Sequence, residues 1–184
     1  MKLFIIAGHS EQAPGAIAYN GTTEHHYTQE LQRLISERYT GIKVLDNERQ
    51  SLAEVVMEVN GNSRPGDVGI DLHFNNNNRE ATGTEVFIYN LAEQQTRDIA
   101  TEMVNGIARM LNLHVRRHVM SRDYKYPTDL GRNLAIINNT NIPFLLLEVC
   151  FLNEFDLPKY ISFKRKVAQL IADIYTKHLI KRKN

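Results

Sequence analysis

Two rhythms of hydrophobic and polar positions alternate along this chain. Short apolar runs at residues 2–7, 68–74, 84–89 and 143–151 read as strands, and the last is so rich in Leu and Val that it predicts a strand covered on both faces. Between these runs the spacing widens to three and four. Tyr27, Leu31, Leu34 and Ile35 predict a helix over 24–39 behind Thr22 and Thr23 as caps. Ile99, Met103, Ile107 and Met110 predict a second over 92–111, and Val167, Leu170, Ile171 and Ile174 a third over 163–180. Ser51 opens a shorter helix to about residue 59, and short strands are expected at 42–45 and 115–120. This order predicts an α/β architecture, a mostly parallel twisted sheet of about six strands sandwiched between helices, with residues 1–184 forming a single domain. In such sheets ligands gather beyond the carboxyl ends of the strands, so polar residues at strand ends become the candidates for chemistry.

Composition narrows that chemistry. The charges nearly cancel to a formal +1, which leaves no overall field toward nucleic acid or acidic lipid. The single Cys150 excludes an internal disulfide and any zinc site built on several thiolates, so a metal would have to be held by His, Asp and Glu. The apolar run at 3–7 is too brief for the core of a signal peptide, and PFLLLEVCFL is interrupted by Glu148 and far short of a bilayer span. The expectation is cytoplasmic synthesis without a signal peptide and without membrane insertion.

Four residues stand out at the predicted ends. The first strand runs into Gly8-His9-Ser10, and IDLHFNNNN places His73 where a strand meets a polar loop. Alternation puts Asp71, His73 and Asn75 on one face of that strand and Ile70, Leu72 and Phe74 on the other. Glu24 opens the first helix, where its charge suits the helix dipole. Two His and one carboxylate with an open fourth position form the ligand set of a catalytic zinc site. Glu148, in the middle of PFLLLEVCF, is a carboxylate that burial penalises unless a charge or hydrogen bond compensates it, and it would suit a general base. Each has a blander reading alone: either His as a hydrogen-bonded structural residue, Glu24 as a first-turn acid, Glu148 as the partner of Arg132 or Arg49. The combination is what points to a metal hydrolase.

These stretches together resemble the zinc-dependent N-acetylmuramoyl-L-alanine amidases of the amidase-3 type, found in bacterial wall remodelling and in phage endolysins. The resemblance rests on IIAGHS, APGAIAYNGTTEHHYTQEL, IDLHFN, ATGTEVFIY and NIPFLLLEVCFLNEFD. It implies Zn2+ held by His9, Glu24 and His73, Glu148 as the catalytic carboxylate, and Asn75 as a contact to the substrate's peptide backbone. The implied reaction is hydrolysis of the amide joining N-acetylmuramic acid to the L-alanine of the stem peptide, with peptidoglycan as partner and action on the wall after release. Arg132 and Asn133 are further expected contacts to the acidic stem peptide. Asp71 could orient a ligand imidazole or make a structural bond, and His25 and His26 are expected to face solvent. Departures fall beside the ligands: Ile6-Ala7 precedes the first Gly-His, Ser10 follows it, and Cys150 lies two residues beyond Glu148. Alternatives are a zinc peptidase or carboxypeptidase acting on wall peptides, and a wall-binding regulator that has lost catalysis. The oligomeric state is left open.

Overall fold

The computed structural model describes residues 2–38, 42–44, 51–76, 81–89, 92–116, 120–122 and 134–180. The strands are β1 (Leu3–Ala7), β2 (Ile42–Val44), β3 (Val68–Asn75), β4 (Glu85–Tyr89), β5 (Met120–Arg122) and β6 (Phe144–Phe151). The helices are α1 (Glu24–Ser36), α2 (Leu52–Asn62), α3 (Gln94–Leu111), α4 (Ala135–Asn138) and α5 (Leu157–Ile180). The strands form one sheet in the order β2-β1-β3-β6-β4-β5. Pairing is parallel from β2 through β6 and between β4 and β5, and antiparallel only where β4 meets β6. The α/β, mostly parallel arrangement is thus the one the strand–helix alternation predicts.

Apolar side chains cover both faces of the sheet, and this is why β1 is buried at every position. On one face Leu3, Ile5, Ile70, Leu72, Leu145 and Leu147 pack with α1, α3 and α5. On the other, Phe4, Ile6, Phe144 and Leu146 pack with Val55 and Val59 of α2 and Ile136 and Ile137 of α4. That second face is the one toward which Asp71 and His73 alternate. Phe144 lies so close across Gly69 that a Cβ there would come within 2.1 Å of its ring. Gly69 therefore leaves room for the ring against β3.

Boundaries differ from the sequence reading in several places: the strand expected at 115–120 is β5 at Met120–Arg122, with Val115 making an isolated bridge to Thr84, and α2 runs on to Asn62. α5 starts at Leu157 rather than 163, because Pro158 falls in the first turn, where a missing N–H is no loss. Asn153 Oδ1 accepts from the backbone N–H groups of Phe155 and Asp156 just ahead of it, and Leu157 and Tyr160 are fully buried. Ala135, Ile136 and Ile137 of the apolar LAII segment, with Asn138, form the short helix α4, whose four residues give too little periodicity to read.

α2 begins with a capping box. Ser51 Oγ accepts from Glu54 N–H at 3.3 Å, and Glu54 Oε2 accepts from Ser51 N–H at 2.7 Å. Ser51→Ala is expected to cost about 1 kcal/mol, read as a lower urea midpoint at unchanged slope.

Candidate metal centre

Three separate elements deliver the three donors. His9 follows β1 through Gly8 and adopts a left-handed backbone, φ 71°, a conformation uncommon outside glycine. Gly8 N–H donates to Leu72 O at 2.8 Å and continues the β1–β3 pairing to the strand tips. Glu24 is the first residue of α1, behind Thr23, whose side chain accepts from His26 N–H. His73 is near the carboxyl end of β3, beside Glu148 of β6 in the parallel register.

The donors converge. His9 Nε2 stands 3.1 Å from Glu24 Oε2, and His73 Nδ1 stands 3.1 Å from Glu24 Oε1. The two imidazoles meet edge to face with centroids 5.0 Å apart, and one ligand atom from each of the three residues lies within 4.8 Å of the others. Ligands of a tetrahedral zinc at about 2.0–2.2 Å sit roughly 3.4 Å from one another, so these separations fit a shared ion. Backbone donors hold the carboxylate in place: Phe74 N–H reaches Glu24 Oε1 at 3.0 Å, and Ala16 N–H reaches Oε2 at 3.2 Å. Gly15, φ 72°, leaves room for this, since a Cβ there would come within 2.7 Å of Glu24 Oε2 and of the His9 ring.

The electrostatics suit a cation. Burial alone would raise the Glu24 carboxyl, but hydrogen bonds from His73 and His9, the His73 charge and the Phe74 N–H hold it well below the usual carboxylate range. For His73, burial opposes the charged form, yet Asp71, Glu24 and Glu148 outweigh it and raise the imidazole well above its ordinary value. A metal entering here would displace that proton.

Glu148 lies in register with His73 on one side and with Glu85 on the other. Its Oε2 is closed to water and has no hydrogen-bond partner among the described residues. Burial pushes its carboxyl up to about 7, with His73 pulling the other way and Glu24, Glu85 and Asp71 adding to the rise. A carboxyl poised near neutrality beside a cluster of metal-type donors is matched to moving a proton. A cleft of about 340 Å³ adjoins the cluster on the α2 and α4 side, with Ile6, Val55, Ile136 and Leu146 in its walls and His9, Asp71 and His73 at its polar end.

The other expected residues fare differently. Asn75 gives its Nδ2 to Glu85 Oε1 at 2.5 Å. Arg132 and Asn133 lie outside the described residues, as does Arg49. His26 is exposed as expected, but His25 is only 6% exposed, which corrects the solvent-facing expectation. The reason is its place on the stripe of α1 shared with Thr28, which donates to Gly8 O under the site. Glu85 escaped the sequence reading. It is 4% exposed, paired with Arg116 Nη1 at 3.2 Å, and sits across the strand pair from Glu148. Alternation within TEVFIY, which aligns Glu85 with the inward Phe87, was the available signal.

A mostly parallel sheet whose strand ends and first helix bring together two imidazoles and a carboxylate able to hold a metal ion, beside a second carboxyl near neutrality, is the arrangement of a hydrolase. More particularly, the chain belongs to the N-acetylmuramoyl-L-alanine amidase family, whose amidase-3 model matches residues 3–177. Among solved structures it is similar to an N-acetylmuramoyl-L-alanine amidase from Clostridium difficile 630, with 20% identity, TM-score 0.78, and 97% of this chain and 96% of that one covered. It is also similar to the catalytic domain of the amidase CwlV from Bacillus (Paenibacillus) polymyxa var. colistinus, with 22% identity, TM-score 0.76, and coverage of 97% and 98%. A third likeness is the catalytic domain of an endolysin targeting Clostridia difficile, with 21% identity, TM-score 0.69, and coverage of 96% and 97%. No curated protein matches the chain. Among the described residues no helix is long and apolar enough to cross a membrane.

Proposed function

We propose that this chain hydrolyses the amide between N-acetylmuramic acid and the L-alanine of the peptidoglycan stem peptide, as one catalytic domain, with Zn2+ held by His9, Glu24 and His73. Family membership supports the amidase reaction. The observation that carries the site is the convergence of those three donors beside a carboxyl oxygen left without a partner among the described residues. Bound zinc supplies Lewis acidity, polarising the scissile carbonyl and making water a nucleophile near neutral pH.

The chain's own residues do the rest. Glu148 takes the proton from the attacking water and carries it to the leaving amine, the task a carboxyl raised to about 7 performs best at neutral pH. Glu24, fixed by two backbone N–H groups, keeps the donors from shifting during turnover. The apolar walls of the adjoining cleft exclude water on the α2 and α4 side. Asn75, its Nδ2 engaged by Glu85, would meet the peptide backbone through its Oδ1. Arg132 and Asn133 are proposed as contacts to the acidic stem peptide.

Digestion of defined muropeptides tests the reaction. The expected products are free stem peptides with new L-alanine amino ends, identified by mass spectrometry. Cleavage between amino acids instead would make the chain a peptidase, and intact muropeptides in the presence of zinc would reject hydrolysis altogether.

A further inference from the structure

Asp71 lies two residues before His73 on the same face of β3, at the polar end of the cleft. Its Oδ2 stands 3.3 Å from His73 Nε2, while His73 Nδ1 faces Glu24 Oε1 at 3.1 Å. The two nitrogens of one ring thus face two different carboxylates. A neutral imidazole has one N–H and one lone pair. Ligation through Nδ1 needs the lone pair there, so the proton belongs on Nε2, where Asp71 can accept it.

Two further observations single out this contact. The ring is clamped at the tip of β1, since a Cβ on Gly8 would come within 2.4 Å of His73 Cε1 and 2.6 Å of Nε2. Asp71 is 5% exposed, and among the described residues its Oδ1 has no hydrogen-bond partner. A buried carboxylate kept for stability would be satisfied at both oxygens. One left half-satisfied beside apolar Ile6 and Leu146 is accounted for by the single imidazole it serves.

We infer that Asp71 is a positioning residue, whose Oδ2 fixes the tautomer and orientation of His73 so that Nδ1 is presented to the metal. The inference rests on the zinc reading of the site. A carboxylate behind a ligand imidazole also raises its basicity, and losing such a partner weakens metal binding by about 10–100-fold.

The test measures zinc affinity by competition with a chromophoric chelator, for the parent chain, Asp71→Leu and Asp71→Asn, alongside thermal unfolding of the metal-free forms. Asp71→Leu is expected to bind about 10–100-fold more weakly, and Asp71→Asn, which keeps an acceptor, to recover most of the affinity. If Asp71→Leu fails to fold, Asp71→Ser, too short to reach Nε2, is expected to bind at least about tenfold more weakly. A shift in metal-free unfolding with zinc affinity unchanged would make Asp71 merely structural and overturn the inference. A parent that binds no zinc overturns the metal reading itself, and Asp71's role with it.

Discussion

Glu148→Gln is expected to cut turnover on purified peptidoglycan by about a hundred- to ten-thousand-fold, the usual contribution of a positioned general base, while zinc content stays at the parent level. Gln keeps the shape of the side chain but cannot take a proton. Lysis of walls at the parent rate would refute the role. The same substitution should stabilise the metal-free protein, with a definite pH dependence. Burial raises the Glu148 carboxyl from its ordinary 4.5 to about 7, so the fold prefers the protonated form. Its favourable contribution is complete below pH 4.5 and is lost as the pH rises through about 7. Above that, the metal-free fold carries a charged, poorly solvated carboxylate, a penalty of roughly 3 kcal/mol. This is an upper figure, because Glu148 keeps part of its surface in water. Metal-free Glu148→Gln should therefore melt higher than the parent at pH 8, and the gain should vanish near pH 4. An equal gain at both pH values would mean that burial of the charge is not its cause.

His73→Ala is expected to empty the metal site. It removes one of three donors and leaves the negative charge of Glu24 with His9 as its remaining imidazole partner. Elemental analysis should find about one zinc per parent chain and almost none in the variant. Thermal unfolding gives a second readout: zinc at a thousandfold excess over its Kd stabilises the parent by about 4 kcal/mol and should leave the variant unmoved. Full zinc occupancy in His73→Ala would remove His73 from the ligand set.

The fold was legible where local pattern and burial agree. Alternation in IDLHFN placed Asp71 and His73 opposite Ile70, Leu72 and Phe74; the latter three lie in one core cluster, and Asp71 and His73 line the cleft on the other face with Ile6, Val55 and Leu146. Ser51 announced the start of α2 because an N-cap acts within the turn it opens, and the structure adds Glu54 to close the capping box. The start of α5 was missed because Pro158 reads as a breaker unless its place in the first turn is known. Glu85 was missed because its importance lies in its cross-strand neighbour, Glu148, more than sixty positions further along the chain.

The order of strands and helices, the alternation of faces along β3, and the presence of two imidazoles and one carboxylate at element ends with a second carboxylate inside a buried apolar run all follow from the amino-acid sequence, since each depends on residues within a turn or a strand of one another. That His9, Glu24 and His73 bring their donor atoms together, that Glu148 stands between His73 and Glu85, and that His25 is enclosed were decided by tertiary structure. Parallel pairing of β1, β3 and β6 brings their carboxyl ends side by side, and α1 is fixed by packing against that sheet. Those distances are set by strand register and helix docking, which no local spacing encodes.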